Sequence, residues 1–252
     1  MFPIIRLIIS VLCLFYCSCL SAQNIGLTTA EKHAIRAYVN DLRYGRKELV
    51  AAALHYPMAR EYPLTPIIDE TEFLRHYDDF IDAPFISEIE SAQWERIGWR
   101  GICCNSGFLW GDIDDNGEFY IHQYDLNEKG QSLLKESIEK QRNRLFPELQ
   151  VFDRPVFMFK TIKFTIRVDL MPDGSYRYAS WSSGRNISSK PDIIINNGIK
   201  EIEGSLPLIN YLFTNGDYEY AVREYHIDGH DFELSVSIKG NTLMIQYGDT
   251  IY

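Results

Sequence analysis

Trp94–Tyr124, WERIGWRGICCNSGFLWGDIDDNGEFYIHQY, is the stretch whose reading decides the fold. Gly98, Asn105-Ser106-Gly107 and Asn116-Gly117 divide it into short apolar runs, and Asn-Gly tolerates the positive φ angles of a tight hairpin. The run therefore predicts antiparallel sheet. Its rings, among them Trp94, Trp99, Trp110 and Phe119, carry more apolar area than a two-stranded ribbon can bury, so helices must cover one face.

The residues upstream supply those helices. Thr28 with Glu31 three places on is a capping box, and Ile35, Tyr38, Val39 and Leu42 make one apolar face of a helix running toward Gly45. A shorter helix carrying Leu49, Val50, Ala53 and Leu54 ends before Tyr56-Pro57, because proline disfavours helical geometry in the residue before it. Residues 58–68, with Pro63 and Pro66, predict an irregular edge strand. Asp69 and Glu72 cap a third helix with the stripe Phe73, Leu74, Tyr77, Phe80 and Ile81. Helices followed by a curled sheet define an α+β roll.

The order of these motifs carries a resemblance. His55-Tyr56-Pro57, then Glu72-Phe73-Leu74 with Tyr77-Asp78, then Gly98-Trp99-Arg100-Gly101 and Gly107-Phe108-Leu109-Trp110, resembles small secreted bacterial domains with a cystatin-like roll, of the kind typified by nuclear transport factor 2. It covers about residues 28–125. The resemblance implies a cone-shaped roll whose mouth holds a ligand, and no fixed chemistry.

Met1 to about Ala22 reads as a secretory signal: one cation, Arg6, an apolar stretch, then small residues before a cleavage at Ala22. A lipoprotein signal acylated at Cys19 is the second reading. Either way the chain is expected in the periplasm or outer envelope of a bacterium, and no later stretch is long and apolar enough for a membrane-spanning helix. Loss of Arg6 with the signal takes the net charge from −10 to −11, which argues against nucleic acid as a partner. Of five cysteines, Cys103 and Cys104 lie outside the signal. Adjacent cysteines can close a strained disulfide, but neighbours on a strand point to opposite faces, so separate thiols are expected.

Asn127 to about Phe146 predicts a helix linking the roll to a second domain, and the period then changes. Ile162, Phe164, Ile166, Val168 and Leu170 alternate with Lys163, Thr165, Arg167 and Asp169, a half-buried strand. Further strands precede Asn215-Gly216 and Gly240-Asn241, so an antiparallel all-β sandwich or open barrel of about seven or eight strands is expected. Two hairpins share a turn followed by Tyr-x-Tyr-Ala, at Tyr176–Ala179 and Tyr218–Ala221. Trp181 to Asp192 reads as a polar, partly basic loop. Tyr176 to Tyr220 is also similar to C-terminal domains of uncharacterised secreted bacterial proteins. The expected layout is a signal over 1–22, the roll over 23–126, a linking helix over 127–150 and the β domain over 151–252.

No constellation specifies a reaction. Asp112, Asp114 and Asn116 with Gly117 match the first half of a calcium loop, but position twelve is Gln123, so an acidic hairpin turn is expected. His226 and His230 with Asp228 and Asp231 have helical ligand spacing in a turn between strands. No metal and no cofactor is expected. The candidate acid–base groups are His122 and Asp78; the candidate ligand-binding groups are Tyr56, Trp99, Arg100, Trp110 and Trp181. The composition fits a secreted binding protein without catalysis, its partner a small molecule, a glycan or a protein. The alternatives are an enzyme using the roll's mouth, and an inhibitor or immunity protein against a secreted toxin.

Overall fold

The computed structural model describes residues 26–98, 101–104, 109–203, 208–227 and 229–252. The expected signal with Cys19, and the site candidates Trp99, Arg100 and Asp228, lie outside the described residues. The fold is α+β, with a four-stranded antiparallel sheet and a closed antiparallel barrel of eight strands. The chain divides into two compact units, one holding the chain to Ala59 and Pro66–Gln131, the other Arg60–Thr65 and Ser132–Tyr252.

In the first unit, α1 (Thr29–Arg43) starts at the capping box: Thr28 N–H donates to Glu31 Oε2 at 2.7 Å and Glu31 N–H to Thr28 Oγ1 at 3.2 Å. α2 (Lys47–Ala52) is short, and the chain leaving it joins the sheet edge, His55 N–H donating to the Ile121 carbonyl at 2.8 Å. α3 (Glu70–His76) is capped by Asp69, which accepts from Glu72 N–H at 2.8 Å. α4 (Ala83–Ser91) is a helix the sequence reading did not anticipate. Its signals are present: Asp82 accepts from Phe85 N–H at 2.8 Å, and Pro84 stands in the first turn, where its missing N–H costs nothing. Residues 58–68 form only an isolated bridge, Met58 with Ile67, in place of the expected edge strand.

The sheet runs β1 (Trp94–Arg96), β2 (Ile102–Cys104), β3 (Leu109–Ile113) and β4 (Phe119–Tyr124), each antiparallel to the next. At the β3–β4 turn Gly117 takes φ 85°, and Asp114 accepts from the N–H of Asn116 and of Glu118, both at 2.9 Å. Ile35, Leu42, Phe73, Phe80, Ile102 and Ile121 are among the side chains buried between helices and sheet. Cys103 and Cys104 are both buried and are not joined by a disulfide.

α5 (Glu128–Arg142) follows, and the division between the units falls within it. The barrel is a meander of β5 (Arg154–Thr161), β6 (Phe164–Leu170), β7 (Tyr176–Ser182), β8 (Ile193–Glu203), β9 (Leu208–Asn215), β10 (Tyr218–Ile227), β11 (His230–Ile238) and β12 (Asn241–Thr250). It is neither a sandwich nor open. β12 returns to β5 and pairs Gly248 with Thr161, Asp249 with Lys160 and Thr250 with Phe159. Gly248 permits this approach, since a Cβ there would run into the Lys160 carbonyl. Rings fill the interior: Phe157 lies 4.4 Å from Phe232 and 5.1 Å from Tyr211. The second tyrosines of the two Tyr-x-Tyr-Ala hairpins, Tyr178 and Tyr220, meet there at 5.5 Å.

β6 is not half-buried as its alternation predicts. Its outer face is covered, so Arg167 and Asp169 are both fully buried. Leu145, Leu149 and Phe152, from the segment after α5, pack with Ala179 and Trp181 of β7 into a second core. Trp181 is accordingly wholly buried on a strand, its Nε1–H donating to the Ser189 carbonyl at 2.9 Å, and the expectation that a loop presents it is corrected. Asp169 bridges Arg167 at 2.6 Å and Arg177 at 2.7 Å. Arg167 donates on to Gln141, whose amide donates to the Tyr62 hydroxyl at 2.6 Å, while Arg177 donates to the carbonyls of Leu149 and Val151. This network ties Tyr62, α5 and the segment after it to the barrel wall.

Candidate functional site

Alternate residues of a strand share a face, and on β1 those residues are Trp94 and Arg96. Arg96 contacts Glu31 Oε1 through Nη2 at 2.5 Å and Asp112 Oδ1 at 2.7 Å, pinning the first turn of α1 to the sheet. Burial raises the Glu31 carboxyl, but hydrogen bonds from Thr28 and the Arg96 guanidinium outweigh it and hold the group below its ordinary value. With α1 so fixed, and α4 joined to β1 by Ala92 and Gln93, an open groove of about 450 Å³ lies between the two helices.

Its apolar floor is formed by Leu27, Val39, Ala92 and the half-buried Trp94, lying over the buried core side chains Ile35 and Ile89. Trp94 is held edge-on against Phe119, ring centres 5.6 Å apart. Lys32, Arg36 and Asn40 line the α1 rim and Glu90 the α4 rim, where Arg43 pairs with Glu90 at 3.2 Å. A concave apolar surface of a few hundred Å³ with a few polar groups at its edge is the usual form of a small-molecule site. Trp94 was legible as an aromatic of the sheet but not as a groove residue. The groove depends on α4, whose N-terminal signals at Asp82 and Pro84 could have located the missing wall.

The residues singled out from sequence are dispersed. Trp99 and Arg100 lie outside the described residues. Trp110 is half-buried on β3, in register with Cys103. Tyr56 donates its hydroxyl to the Ala51 carbonyl at 2.9 Å, and burial, with the charges of Glu70 and Asp69, pushes its ionisation up. Trp181 is buried in the barrel wall.

His122 and Asp78 receive different partners. Asp78 is exposed and pairs with Lys47 at 3.2 Å. His122 is exposed on β4, its ring 4.9 Å from Tyr120 and 6.0 Å from His55. Partial burial and the charge of His55 lower its pKa, and the carboxylate acting against that shift is Asp112, already bound by Arg96. Sequence reasoning did not single out Asp79, which accepts from His76 at 2.8 Å and pairs with Lys129 at 3.0 Å. Burial raises that carboxyl, but these two partners hold it below its ordinary value. Its hydrogen bonds make it a brace between α3 and α5. His230 pairs with Asp249 at 3.0 Å, and Asp231 accepts from Thr250, so each of these two candidate ligands has a partner on β12.

No protein-family model, curated protein or solved structure matches this chain.

Proposed function

We propose that this chain is a secreted binding protein of the cell envelope that performs no catalysis, with its first unit built on the plan of a cystatin-like roll. Its ligand lays an apolar body in the groove between α1 and α4, against Trp94. The observation that carries this reading is the groove itself, about 450 Å³ between α1 and α4 with the half-buried Trp94 at its base. A half-buried indole at the base of a cleft supplies large contact area at small entropic cost.

The test is titration with the neutral apolar fluorophore N-phenyl-1-naphthylamine. Wild type is expected to enhance its emission saturably, and Trp94→Ala to lose that binding while keeping the far-UV circular dichroism of the parent. Equal binding by the variant, or none by wild type, defeats the reading. A second reading, acid–base chemistry at His122, draws on the lowered pKa of that residue beside His55 and Tyr120. It requires a turnover that His122→Gln abolishes and Trp94→Ala leaves intact.

A further inference from the structure

The groove carries an electrostatic asymmetry that its floor does not require. Lys32 and Arg36 stand one helical turn apart on its α1 rim, and both are exposed. Among the described residues neither side chain is paired with a carboxylate, although the chain has 35 acids against 25 Lys and Arg. The acids nearest in sequence and across the groove are engaged elsewhere. Glu31 binds Arg96 and the Thr28 N–H, and Glu90 binds Arg43. Two uncompensated positive charges thus overlook an apolar trough whose opposite rim is neutralised.

From this we infer that the ligand is a single-chain anionic amphiphile, such as a fatty carboxylate, taken up as a monomer. Its hydrocarbon lies on Leu27, Val39, Ala92 and Trp94, and its headgroup reaches the Lys32 ammonium and the Arg36 guanidinium at the rim. The inference rests on the groove being the binding site. Its own content is the sign of the headgroup, for which the acidic remainder of the protein gives no support: a surface of net charge −10 attracts cations in general, so preference for an anion must come from a local feature. The groove's open side leaves the headgroup in water. The contribution is therefore that of two exposed charge contacts, about 10-fold in affinity, and it declines as salt screens it.

The experiment compares decanoate, decan-1-ol and decyltrimethylammonium, each below its micelle concentration, as displacers of N-phenyl-1-naphthylamine from the full mature chain. Decanoate is expected to displace at about one-tenth the concentration of decanol, with the cation weakest. The double variant Lys32→Gln/Arg36→Gln should bind decanol as wild type does and lose the advantage of decanoate. Both positions are exposed on a helix, so the fold is expected to survive, with circular dichroism as the check. Decanoate no better than decanol, or an advantage that persists in the double variant, overturns the anionic assignment and leaves the groove standing. Failure of wild type to bind the fluorophore removes the groove and this inference together. Co-sedimentation with anionic phospholipid vesicles, combined with no displacement by decanoate, overturns the monomeric ligand in favour of a lipid surface.

Discussion

Asp169→Ala removes the one carboxylate that, among the described residues, two buried arginines share. Asp169 and Arg167 are wholly inaccessible and Arg177 nearly so, and the contacts at 2.6 and 2.7 Å place one carboxylate oxygen on each guanidinium. After the substitution both positive charges remain buried, with only neutral acceptors: Gln141 for Arg167, and the Leu149 and Val151 carbonyls for Arg177. The Nε atoms of both arginines are already without a hydrogen-bond acceptor. Removing one partner from a buried ion pair costs about 3–5 kcal/mol, a large part of the roughly 5–15 kcal/mol that holds a domain folded. With a urea slope of about 2 kcal/mol/M, the midpoint of the barrel transition should fall by about 2 M. Trp181, in the core beside the network, is the fluorescent reporter for this transition. The triple variant Arg167→Met/Asp169→Leu/Arg177→Met buries no charge but leaves two carbonyls without their donors, and is expected between wild type and Asp169→Ala. A midpoint for Asp169→Ala within about 0.5 M of wild type would refute the argument, since that shift is worth only about 1 kcal/mol.

Trp181→Ala should cost about 3–5 kcal/mol by emptying the second core, and would also leave the Ser189 carbonyl without its donor; since the variant lacks the fluorescent reporter, urea unfolding is followed by far-UV circular dichroism. Thr28→Ala should cost about 1 kcal/mol through loss of the α1 cap, since the Glu31 N–H loses its Thr28 Oγ1 acceptor; thermal melts measure it. Asp79 gives a pH signature. Its carboxyl is held below its ordinary value by His76 and Lys129 against the raising effect of burial, so its stabilising contribution is complete above that value and is lost as pH falls through the lowered one. Asp79→Asn should accordingly be less stable than wild type at neutral pH, with a gap that closes on acidification; a gap that widens toward acid would contradict the assignment.

Sequence disclosed what is local. The capping pairs Thr28 with Glu31 and Asp69 with Glu72 are set within four residues, and both helices start where those residues say. The strand around Val168 was equally clear, because its period of two depends only on its own side chains. What covers the strand is not written in it. Arg167 and Asp169 look like solvent-facing residues until the segment carrying Leu149 and Phe152 is laid over them, a contact between parts of the chain with no shared pattern. Closure failed for the same reason: β12 finds β5 across the whole length of the barrel, and its local sign is no more than a glycine at position 248. In the first unit, Trp94 reads as core in any count of rings. Its half-exposure at the base of the groove between α1 and α4 is a matter of packing and not of composition.

Arg60–Thr65 belongs to the barrel unit although the chain on either side of it belongs to the other. Tyr62 accepts from Gln141, lies 6.1 Å from the ring of Tyr252, and has as its neighbour Glu61, which pairs with Arg154 at 3.3 Å. The barrel unit is therefore assembled from two separate stretches of the chain. A gene fragment beginning at residue 151 would lack both the cover of Trp181 and this six-residue loan from the first half. Transplanting the barrel to another protein would require carrying both Arg60–Thr65 and Ser132–Tyr252, two pieces of chain and not one cut.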